Sequence, residues 1–310
     1  MPCFHPITAY HKLGGGITWT YQESNGIKLT VSCKQCTGCR QEYARQWAMR
    51  NIHEASLWLN NIFITLTYND QNLPEHNQLV KKDFQDFMKR LRKKIDTDQK
   101  KENILTKINN PTPKVRFFHC GEYGEKFGRP HYHAILFNHN FNDRKPIPGQ
   151  KNLSTSDTLK TIWGKGHVSI GDVTFQSASY VAGYVQKKIN GKQKDEHYQI
   201  VDPETGQYFG QRQQEYTTMS RNPGIAGDWF TKYYKDLYPS DTLHLNGKEM
   251  RPTDYYDKKF KQKYPLIMEK IKKNRLKDMQ KTAHLRTPQA LAQAKRNHQA
   301  RMSLHKRGKL

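Results

Sequence analysis

An apolar stretch that contains two histidines, at residues 130–137, constrains the fold more than any other part of this sequence. It reads Pro-His-Tyr-His-Ala-Ile-Leu-Phe, a pattern typical of a buried β-strand. Since successive side chains of a strand point to opposite faces, His131 and His133 project from one face and Tyr132 from the other. The pattern therefore predicts a sheet with two neighbouring imidazoles on one face, an arrangement that can bind a metal ion.

Strands and helices are mixed along the chain without strict alternation. Runs of β-branched and aromatic residues predict the strands, and apolar residues at helical spacing predict the helices. The further predicted strands are 27–31, 63–68, 115–122 and 167–173, and the predicted helices are 41–60, 82–95, 158–163 and 177–189. This mixture predicts an α+β fold in which an antiparallel sheet is flanked by helices. Residues 190–216 are polar and aperiodic, which predicts a long loop.

The strand at 115–122 and the histidine strand are separated by a short polar turn, so they are expected to pair as a hairpin. Glu122 then lies at the end of the hairpin, on the same face as His131 and His133. Two imidazoles and one carboxylate suit Mg²⁺ or Mn²⁺ acting on a phosphate, although the same set can hold Zn²⁺.

Two tyrosines in the helix predicted at 177–189 form a second candidate group. Tyr180 and Tyr184 are four residues apart and share one helix face, and Lys187 follows about one turn later. A phenol has a pKa near 10, so it becomes a nucleophile at neutral pH only where positive charge stabilises the phenolate. The pair is a candidate nucleophile next to a metal site, and packing of two aromatic rings on the sheet is the structural alternative.

The formal net charge of +24 predicts a polyanionic partner. DNA or RNA is the expected partner, ahead of an anionic membrane surface. Residues 258–310 contain 17 Lys and Arg against two acidic residues, so they are predicted to form a basic tail, helical in pieces and ordered on its partner. The sequence has neither an apolar run of 18 residues nor a signal-peptide pattern at its start, so we expect a soluble cytoplasmic protein.

Four of the five cysteines lie near the start of the chain, three of them in a Cys-x-x-Cys-x-x-Cys run. In a cytoplasmic protein such thiols are expected to be reduced and to bind metal rather than form disulfides. The candidate ligands of a structural Zn²⁺ are Cys3, Cys33, Cys36 and Cys39. His5 is a substitute for one of them, and free thiols in a buried knuckle are the alternative. Cys120, on its predicted strand, is expected to be a core residue.

Three segments in a fixed order resemble the HUH endonuclease superfamily. They are the Phe-Ile-Thr-Leu-Thr-Tyr strand at 63–68, the Pro-His-Tyr-His strand that follows Glu122, and the two-tyrosine helix with its lysine. The chain is most similar to rolling-circle replication initiators of small single-stranded-DNA phages, the gokushovirus-like Microviridae, over roughly residues 1–260. Relaxases of this superfamily generally use three histidines, and only two are evident here, which favours an initiator.

The resemblance implies a site and a reaction. By position, His131 and His133 correspond to the metal-binding histidines, and Glu122 to a third ligand of Mg²⁺ or Mn²⁺. Glu125 is the alternative to Glu122, because the turn before His131 can shift the alignment. Tyr180 and Tyr184 correspond to the nucleophiles, and Lys187 to the helix lysine that contacts the scissile region. Such a protein nicks one strand at the origin, forms a 5′-phosphotyrosine link and leaves a 3′-OH that primes synthesis.

The partners implied are single-stranded DNA, the replication origin, and the host polymerase and helicase in the host cytoplasm. The implied organisation is an N-terminal cysteine-rich segment at 1–40, an endonuclease domain at 41–257 and a basic tail at 258–310. Two other functions remain open. A non-catalytic, zinc-containing DNA-binding or packaging protein would use the charge and the cysteines alone. A metal-dependent nuclease that activates water would cleave DNA without a covalent adduct.

Overall fold

Two compact units make up the structure, a computed structural model. One unit comprises residues 47–233, and the other comprises residues 1–46 together with 234–310. The structure describes residues 3–124, 127–183, 193–202, 204–245 and 247–304.

Strands and helices follow one another along the described residues in a mixed order. The strands are β1 (Ile7–Lys12), β2 (Ile17–Thr18), β3 (Ser24–Val31), β4 (Asn61–Tyr68), β5 (Arg116–Tyr123), β6 (Pro130–Phe137), β7 (Arg144–Pro146), β8 (Ser154–Ser156), β9 (Gly166–Asp172), β10 (Gln199–Val201), β11 (Tyr208–Gln211), β12 (Tyr216–Met219), β13 (Leu243–Leu245) and β14 (Lys248–Met250). The helices are α1 (Thr37–Ala55), α2 (Lys81–Thr106), α3 (Asp157–Trp163), α4 (Phe175–Gly183), α5 (Gln193–His197), α6 (Gly227–Leu237), α7 (Asp254–Lys263), α8 (Pro265–Lys281) and α9 (Pro288–Leu304).

The unit at 47–233 is built on a seven-stranded sheet in the order β12-β5-β6-β4-β9-β8-β7. Every pair of neighbouring strands is antiparallel. The histidine strand β6 lies inside the sheet, between β5 and β4. The predicted α+β class, with an antiparallel sheet flanked by helices, is confirmed, and β5 and β6 form the predicted hairpin.

One face of this sheet forms the hydrophobic core. Alternate residues of β4 and β6, such as Leu66 and Tyr132, pack against α2 and α3. The apolar stripe of α2 supplies Phe84, Phe87, Met88 and Leu91, and α3 supplies Leu159, Ile162 and Trp163. Because strand side chains alternate, burying this set leaves the two histidines of β6 on the opposite face.

The segment predicted as a long loop contains a short hairpin instead. Strands β10 and β11 pair within residues 199–211. Asp202 starts the turn, where its side-chain Oδ1 accepts hydrogen bonds of 2.8 Å from the backbone N–H groups of Glu204 and Thr205. Polar residues that form local hydrogen bonds of this kind can make a turn without any apolar periodicity. The periodicity of the sequence therefore did not predict this hairpin.

The second unit contains the sheet β2-β1-β3, the hairpin β13-β14 and the helices α7 to α9. Here the expectation of order only on a partner is wrong, because α8 packs through Met268 and Ile271, which are buried. Arg275 of α8 binds two carboxylates, with 2.7 Å from Nε to Asp241 and 2.5 Å from Nη1 to Asp257. This charge pairing fixes α8 to its neighbours within the unit.

A search of the described helices finds none that is long and apolar enough to span a membrane.

Buried histidines in the unit at 47–233 predict a loss of stability in acid. Burial lowers the pKa of His53 to about 3 and that of His139 to about 4. In the unfolded chain each has a pKa near 6.5, so below about pH 6.5 the unfolded state binds protons that the folded state does not, and stability is lost as the pH falls towards about 4. Stability contributed in this way is complete above pH 6.5.

We expect His53→Phe to reduce this loss by about 1 kcal/mol per pH unit in the acid range. The ring of His53 stacks on Trp229, with centroids 3.6 Å apart, and phenylalanine preserves a stacked ring without a titrating group. Urea unfolding at several pH values measures the change. His244→Phe, at an exposed position of β13, is the matched control and should leave the slope as it is. An unchanged slope in His53→Phe would contradict the prediction.

Candidate functional site

Two threonines of β4 hold the histidines of β6 in place. In the sheet, Thr65 lies opposite His133 and Thr67 opposite His131. Each threonine Oγ1 is within hydrogen-bond distance of the imidazole Nδ1 that it faces, at 3.0 Å for His133 and 3.1 Å for His131. Because a hydrogen bond at Nδ1 fixes the orientation of the ring, Nε2 is the nitrogen of each histidine directed towards the end of the hairpin.

Glu122 lies beside both histidines, as the hairpin predicted. It is the cross-strand neighbour of His131, and its Oε1 is 3.0 Å from Nε2 of His133. Glu122 is 3% exposed and His133 is 6% exposed. A buried carboxylate is costly unless a hydrogen bond or a positive charge accompanies it, and the imidazole of His133 lies within hydrogen-bond distance of Glu122.

Gly124 confines the ring of His131. A Cβ atom built on this glycine would lie 2.7 Å from Nε2 of His131, closer than side chains tolerate. The backbone N–H of Gly124 donates to the carbonyl of Arg129 at 2.9 Å and so closes the turn of the hairpin. Any larger residue here would displace either the imidazole or this turn.

The donor atoms at this end of the sheet fit a divalent cation by their chemistry. Two imidazole nitrogens and a carboxylate oxygen suit Mn²⁺ or Mg²⁺ and leave positions for substrate oxygens. The ring centroids of His131 and His133 are 6.4 Å apart. Glu125, the alternative third ligand, lies outside the described residues, so the choice of carboxylate stays a prediction, as does the ligand role of the histidines.

Helix α4 packs on the histidine face of the sheet, against β6 and β5. The ring of Tyr180 meets that of His133 edge to face, with centroids 5.5 Å apart, and makes a similar contact with Phe63 at 6.4 Å. The structure thus brings one predicted tyrosine to the predicted ligands. Tyr184 and Lys187 lie outside the described residues, and their roles stay predictions.

Other tyrosines of the sheet are excluded from chemistry at neutral pH by their surroundings. The hydroxyls of Tyr68 and Tyr132 are 2.8 Å apart on the core face, and the Tyr68 hydroxyl donates to Asp83 at 2.5 Å. Burial raises the pKa of Tyr132 to about 12 and that of Tyr68 further. These phenols stay protonated, in contrast to what a nucleophile needs.

Sequence reasoning missed several residues of this face. Thr65 and Thr67 alternate with apolar residues in β4, a signal that marks them as sharing a face but not as partners of the histidines. His167 of β9 lies opposite Thr67, on the same face of the sheet as the two histidines of β6. Its side chain is exposed. The neighbours of a strand depend on the order of strands in the sheet, which the sequence pattern does not supply.

The four predicted cysteines form a compact cluster in the unit that contains both chain ends. Pairing of Ile7 with Val31 in β1 and β3 brings the start of the chain to the Cys-x-x-Cys-x-x-Cys run. The sulfur of Cys3 is 3.5 Å from that of Cys33 and 4.0 Å from that of Cys36, and Cys33 is 3.9 Å from Cys39. Four thiolates around a tetrahedral Zn²⁺ have sulfur separations of about 3.8 Å, so this cluster can hold such an ion.

Local hydrogen bonds favour a thiolate in the cluster. Burial opposes ionisation of Cys36, but backbone N–H groups of Cys39 and Phe4 donate to its sulfur, and its pKa falls to about 6. Among the described residues, these four cysteines are the group of three or more ligands whose donor atoms all lie within 4.8 Å of one another. His5 is not part of that group, and Cys120 is buried in β5, apart from it.

Comparison with known proteins gives matches of one kind. The family model described as Replication-associated protein ORF2/G2P matches residues 61–189, which include β4, the hairpin of β5 and β6, and α4. The chain is 31% identical over 272 residues to Replication-associated protein VP4 of Bdellovibrio phage phiMH2K, covering 86% of this chain and 79% of that protein.

Two further relatives have similar names. Replication-associated protein ORF2 of Spiroplasma virus 4 is 27% identical over 310 residues, covering 91% of this chain and 88% of that protein. Replication-associated protein ORF4 of Chlamydia phage 1 is 27% identical over 234 residues, covering 73% of this chain and 52% of that protein. No solved structure gives a significant match.

The extent of these matches shows the family. The chain belongs to the replication-associated proteins of small phages. The resemblance noted from its motifs is thereby confirmed.

Proposed function

We propose that this chain initiates phage DNA replication by nicking one DNA strand at the origin with a tyrosine. Its membership of the replication-associated family supports the initiator role. The observation that carries the chemistry is the position of Tyr180, whose ring lies against His133 on the face where Glu122 contacts the same imidazole. A phenol next to imidazole and carboxylate donors that could hold a metal ion is an arrangement suited to phosphodiester transesterification.

The reaction is a transfer of one phosphodiester bond. The phenolate oxygen of a tyrosine attacks the phosphorus and forms a 5′-phosphotyrosine link, the bond between phosphorus and the 3′ oxygen breaks, and that oxygen takes up a proton. The 3′-OH then primes a host polymerase. Because the link preserves a phosphate ester, the reverse reaction can religate the strand without a nucleotide cofactor.

Glu122, His131 and His133 would hold Mg²⁺ or Mn²⁺, which supplies Lewis-acid stabilisation of the charge that builds on the phosphate oxygens. The threonines Thr65 and Thr67 are positioning residues, since they contact the imidazoles at Nδ1. Their hydroxyls keep Nε2 of each ring directed to the same place.

Further parts of the proposal rest on the family resemblance. Tyr184 supplies a second phenol, which permits a second transfer that closes the displaced strand into a circle, and Lys187 contacts the scissile region. Apart from the resemblance, the spacing of the cysteines and the separations of their sulfurs support a structural Zn²⁺ in the cluster. The endonuclease domain at 41–257 carries out nicking. The cysteine-rich segment at 1–40 precedes it along the chain, and the basic tail at 258–310 follows it. The partners are single-stranded origin DNA and the host polymerase and helicase, in the host cytoplasm.

A covalent-adduct assay tests the proposal. Oligonucleotides tiled across the genome that encodes the chain are labelled at either end and incubated with protein and Mg²⁺ or Mn²⁺. We expect one oligonucleotide to give a denaturation-resistant adduct that retains the 3′ label, together with a 5′-labelled fragment that a polymerase extends. Cleavage without an adduct would indicate a nuclease that uses water. Binding without cleavage would indicate a non-catalytic zinc-containing DNA-binding or packaging protein.

Gly124→Ala should slow nicking about tenfold, because its methyl group forces the ring of His131 out of place. Gly171→Ala is the matched control, since its added Cβ meets the side chains of Leu153 and Phe63 at 3.3 and 3.6 Å and the carbonyl oxygen of Asn152 at 3.9 Å. Initial rates of adduct formation and thermal unfolding of both variants separate the two effects. Equal rates for the wild type and Gly124→Ala, with both folded, would contradict the assigned position of His131.

A further inference from the structure

The C-terminal helix α9 contacts the residues that immediately follow the first cysteine of the cluster. The rings of Phe4 and His298 are 5.4 Å apart, and Lys295 Nζ lies 3.1 Å from Nε2 of His5. Since a lysine ammonium only donates, Nε2 of His5 is the acceptor of this hydrogen bond. Phe4 is 5% exposed, so its ring is buried where it meets His298 of α9.

The same short segment is tied to the cysteine sulfurs. Phe4 follows Cys3 directly, and its backbone N–H donates to Sγ of Cys36 at 3.3 Å. Besides the pairing of β1 with β3, contacts between cysteine sulfurs connect this segment to the run at 33–39. A metal ion bound to all four sulfurs would fix Cys3 covalently to the run at 33–39 and, through Phe4 and His5, would fix the surface on which α9 lies.

The exposed side of α9 carries basic residues, and no acidic residue follows in the sequence after Asp278 to offset their charge. After Asp278 the chain contains eight Lys and Arg and no acidic residue. Leu291, Lys295 and His298 follow helical spacing and form the side of α9 nearest the cluster, whereas Arg296 and Arg301 are exposed. Gln293 accepts hydrogen bonds from Nε and Nη2 of Arg296, at 3.2 and 2.6 Å, which orients the guanidinium.

We propose that Zn²⁺ in the cluster of Cys3, Cys33, Cys36 and Cys39 fixes α9 and thereby forms a zinc-dependent surface that binds the phosphate backbone of single-stranded DNA. Charge complementarity selects this occupant. The residues of the unit that carries α9 include 25 Lys and Arg against nine Asp and Glu, and a polyanion is the partner that such an excess attracts. The role rests on the proposed function and extends it, because these residues would bind DNA without taking part in the nicking chemistry.

Three measurements on the full chain test this surface. The first is the zinc content of the purified protein. The second is hydrogen exchange across α9, before and after removal of the metal with a chelator. The third is the salt dependence of binding to a mixed-sequence single-stranded oligonucleotide without divalent cations, so that nicking plays no part. Each phosphate contact contributes about 0.7 to the slope of log K against log salt.

Four variants sharpen the test. Cys33→Ser removes a ligand, and Cys120→Ser is the matched control outside the cluster. Arg296→Gln combined with Arg301→Gln removes the two exposed charges and keeps all four cysteines, so it reports on the surface even if Cys33→Ser fails to fold. His284→Gln, in an exposed position before α9, controls for the combined arginine variant.

The expected result is about one zinc per chain in the wild type and in Cys120→Ser.

The magnitude of the salt slope should fall by about 1.4, which corresponds to two phosphate contacts at about 0.7 each. We expect this fall on chelation, in Cys33→Ser and in the double arginine variant. Chelation should also speed hydrogen exchange in α9. It should not lower the salt slope of the arginine variant any further, because chelation and the arginine substitutions remove the same interaction with DNA. Absence of bound zinc, or zinc whose removal changes neither exchange nor slope, would overturn the proposal. A change in oligomeric state on chelation, with DNA binding unaltered, would show that α9 meets a second copy instead. Because no readout uses a tyrosine, failure of the nicking proposal leaves these results interpretable.

Discussion

Replacing both Tyr180 and Tyr184 with phenylalanine is expected to lower the yield of covalent protein–DNA adduct by at least about 10³-fold, to background. The substitution removes only the phenolic oxygen and keeps each ring, so the contacts of Tyr180 with His133 and Phe63 are retained. Binding of the same oligonucleotide should stay within about twofold. Adduct formation is read on a denaturing gel with the 3′-labelled strand.

The single variants separate the two phenols. If Tyr180 attacks first, Tyr180→Phe should lose the initial adduct while Tyr184→Phe forms it and fails in the second transfer. The opposite result would assign the first step to Tyr184. Tyr208→Phe, at an exposed position of β11, controls for loss of a surface phenol. A double variant that still forms an adduct would refute the assignment of both nucleophiles.

Removing the histidines of β6 should have the second large effect. We expect His131→Ala or His133→Ala to lower the nicking rate by about 10²- to 10³-fold, because the cation that offsets phosphate charge would lose a ligand. Chelation of the wild type should abolish nicking, and added Mn²⁺ or Mg²⁺ should restore it. Glu122→Gln keeps an oxygen donor, so excess Mn²⁺ should partly rescue it. Rates measured over a range of metal concentrations distinguish weaker metal binding from slower chemistry.

His167 provides the comparison that sharpens this test. It lies on β9 opposite Thr67, which in turn faces His131, so it is a histidine of the same row but one strand further away. We expect His167→Ala to keep the metal dependence of the wild type. If it instead raises the required metal concentration as much as Glu122→Gln does, His167 is a ligand and the proposed set is incomplete. Histidine variants that nick DNA at the wild-type rate would contradict a metal role for β6.

The alternation of side chains was enough to predict which residues of the histidine strand share a face. His131 and His133 on one side and Tyr132 on the other follow from strand geometry alone, and a short turn makes Glu122 their neighbour. The predicted hairpin and the antiparallel sheet are confirmed for this reason. Both predictions depend on features that can be read from a single sequence, namely the local periodicity of a strand and the short connection between two strands.

Contacts between strands distant in sequence could not be predicted in the same way. Thr65 and Thr67 reach the histidines only because β4 inserts beside β6, although the hairpin strand β5 separates them along the chain. In the same way, Cys3 joins the other cysteines through the pairing of Ile7 with Val31. The sequence pattern did not predict β1, and its partner β3 lies beyond β2 along the chain.

The position of β6 inside the sheet protects it from local unfolding that starts at the edge strands. Strands at the border of a sheet open first, because they have hydrogen-bonded neighbours on one side only. In the seven-stranded sheet those borders are β12 and β7, whereas β6 has β5 on one side and β4 on the other. Tyr132 adds an anchor, since its hydroxyl receives a hydrogen bond from the N–H of Val80 and donates one to the carbonyl of the same residue. Fraying at either border would therefore leave the paired imidazoles in register, and the two histidines would keep their spacing.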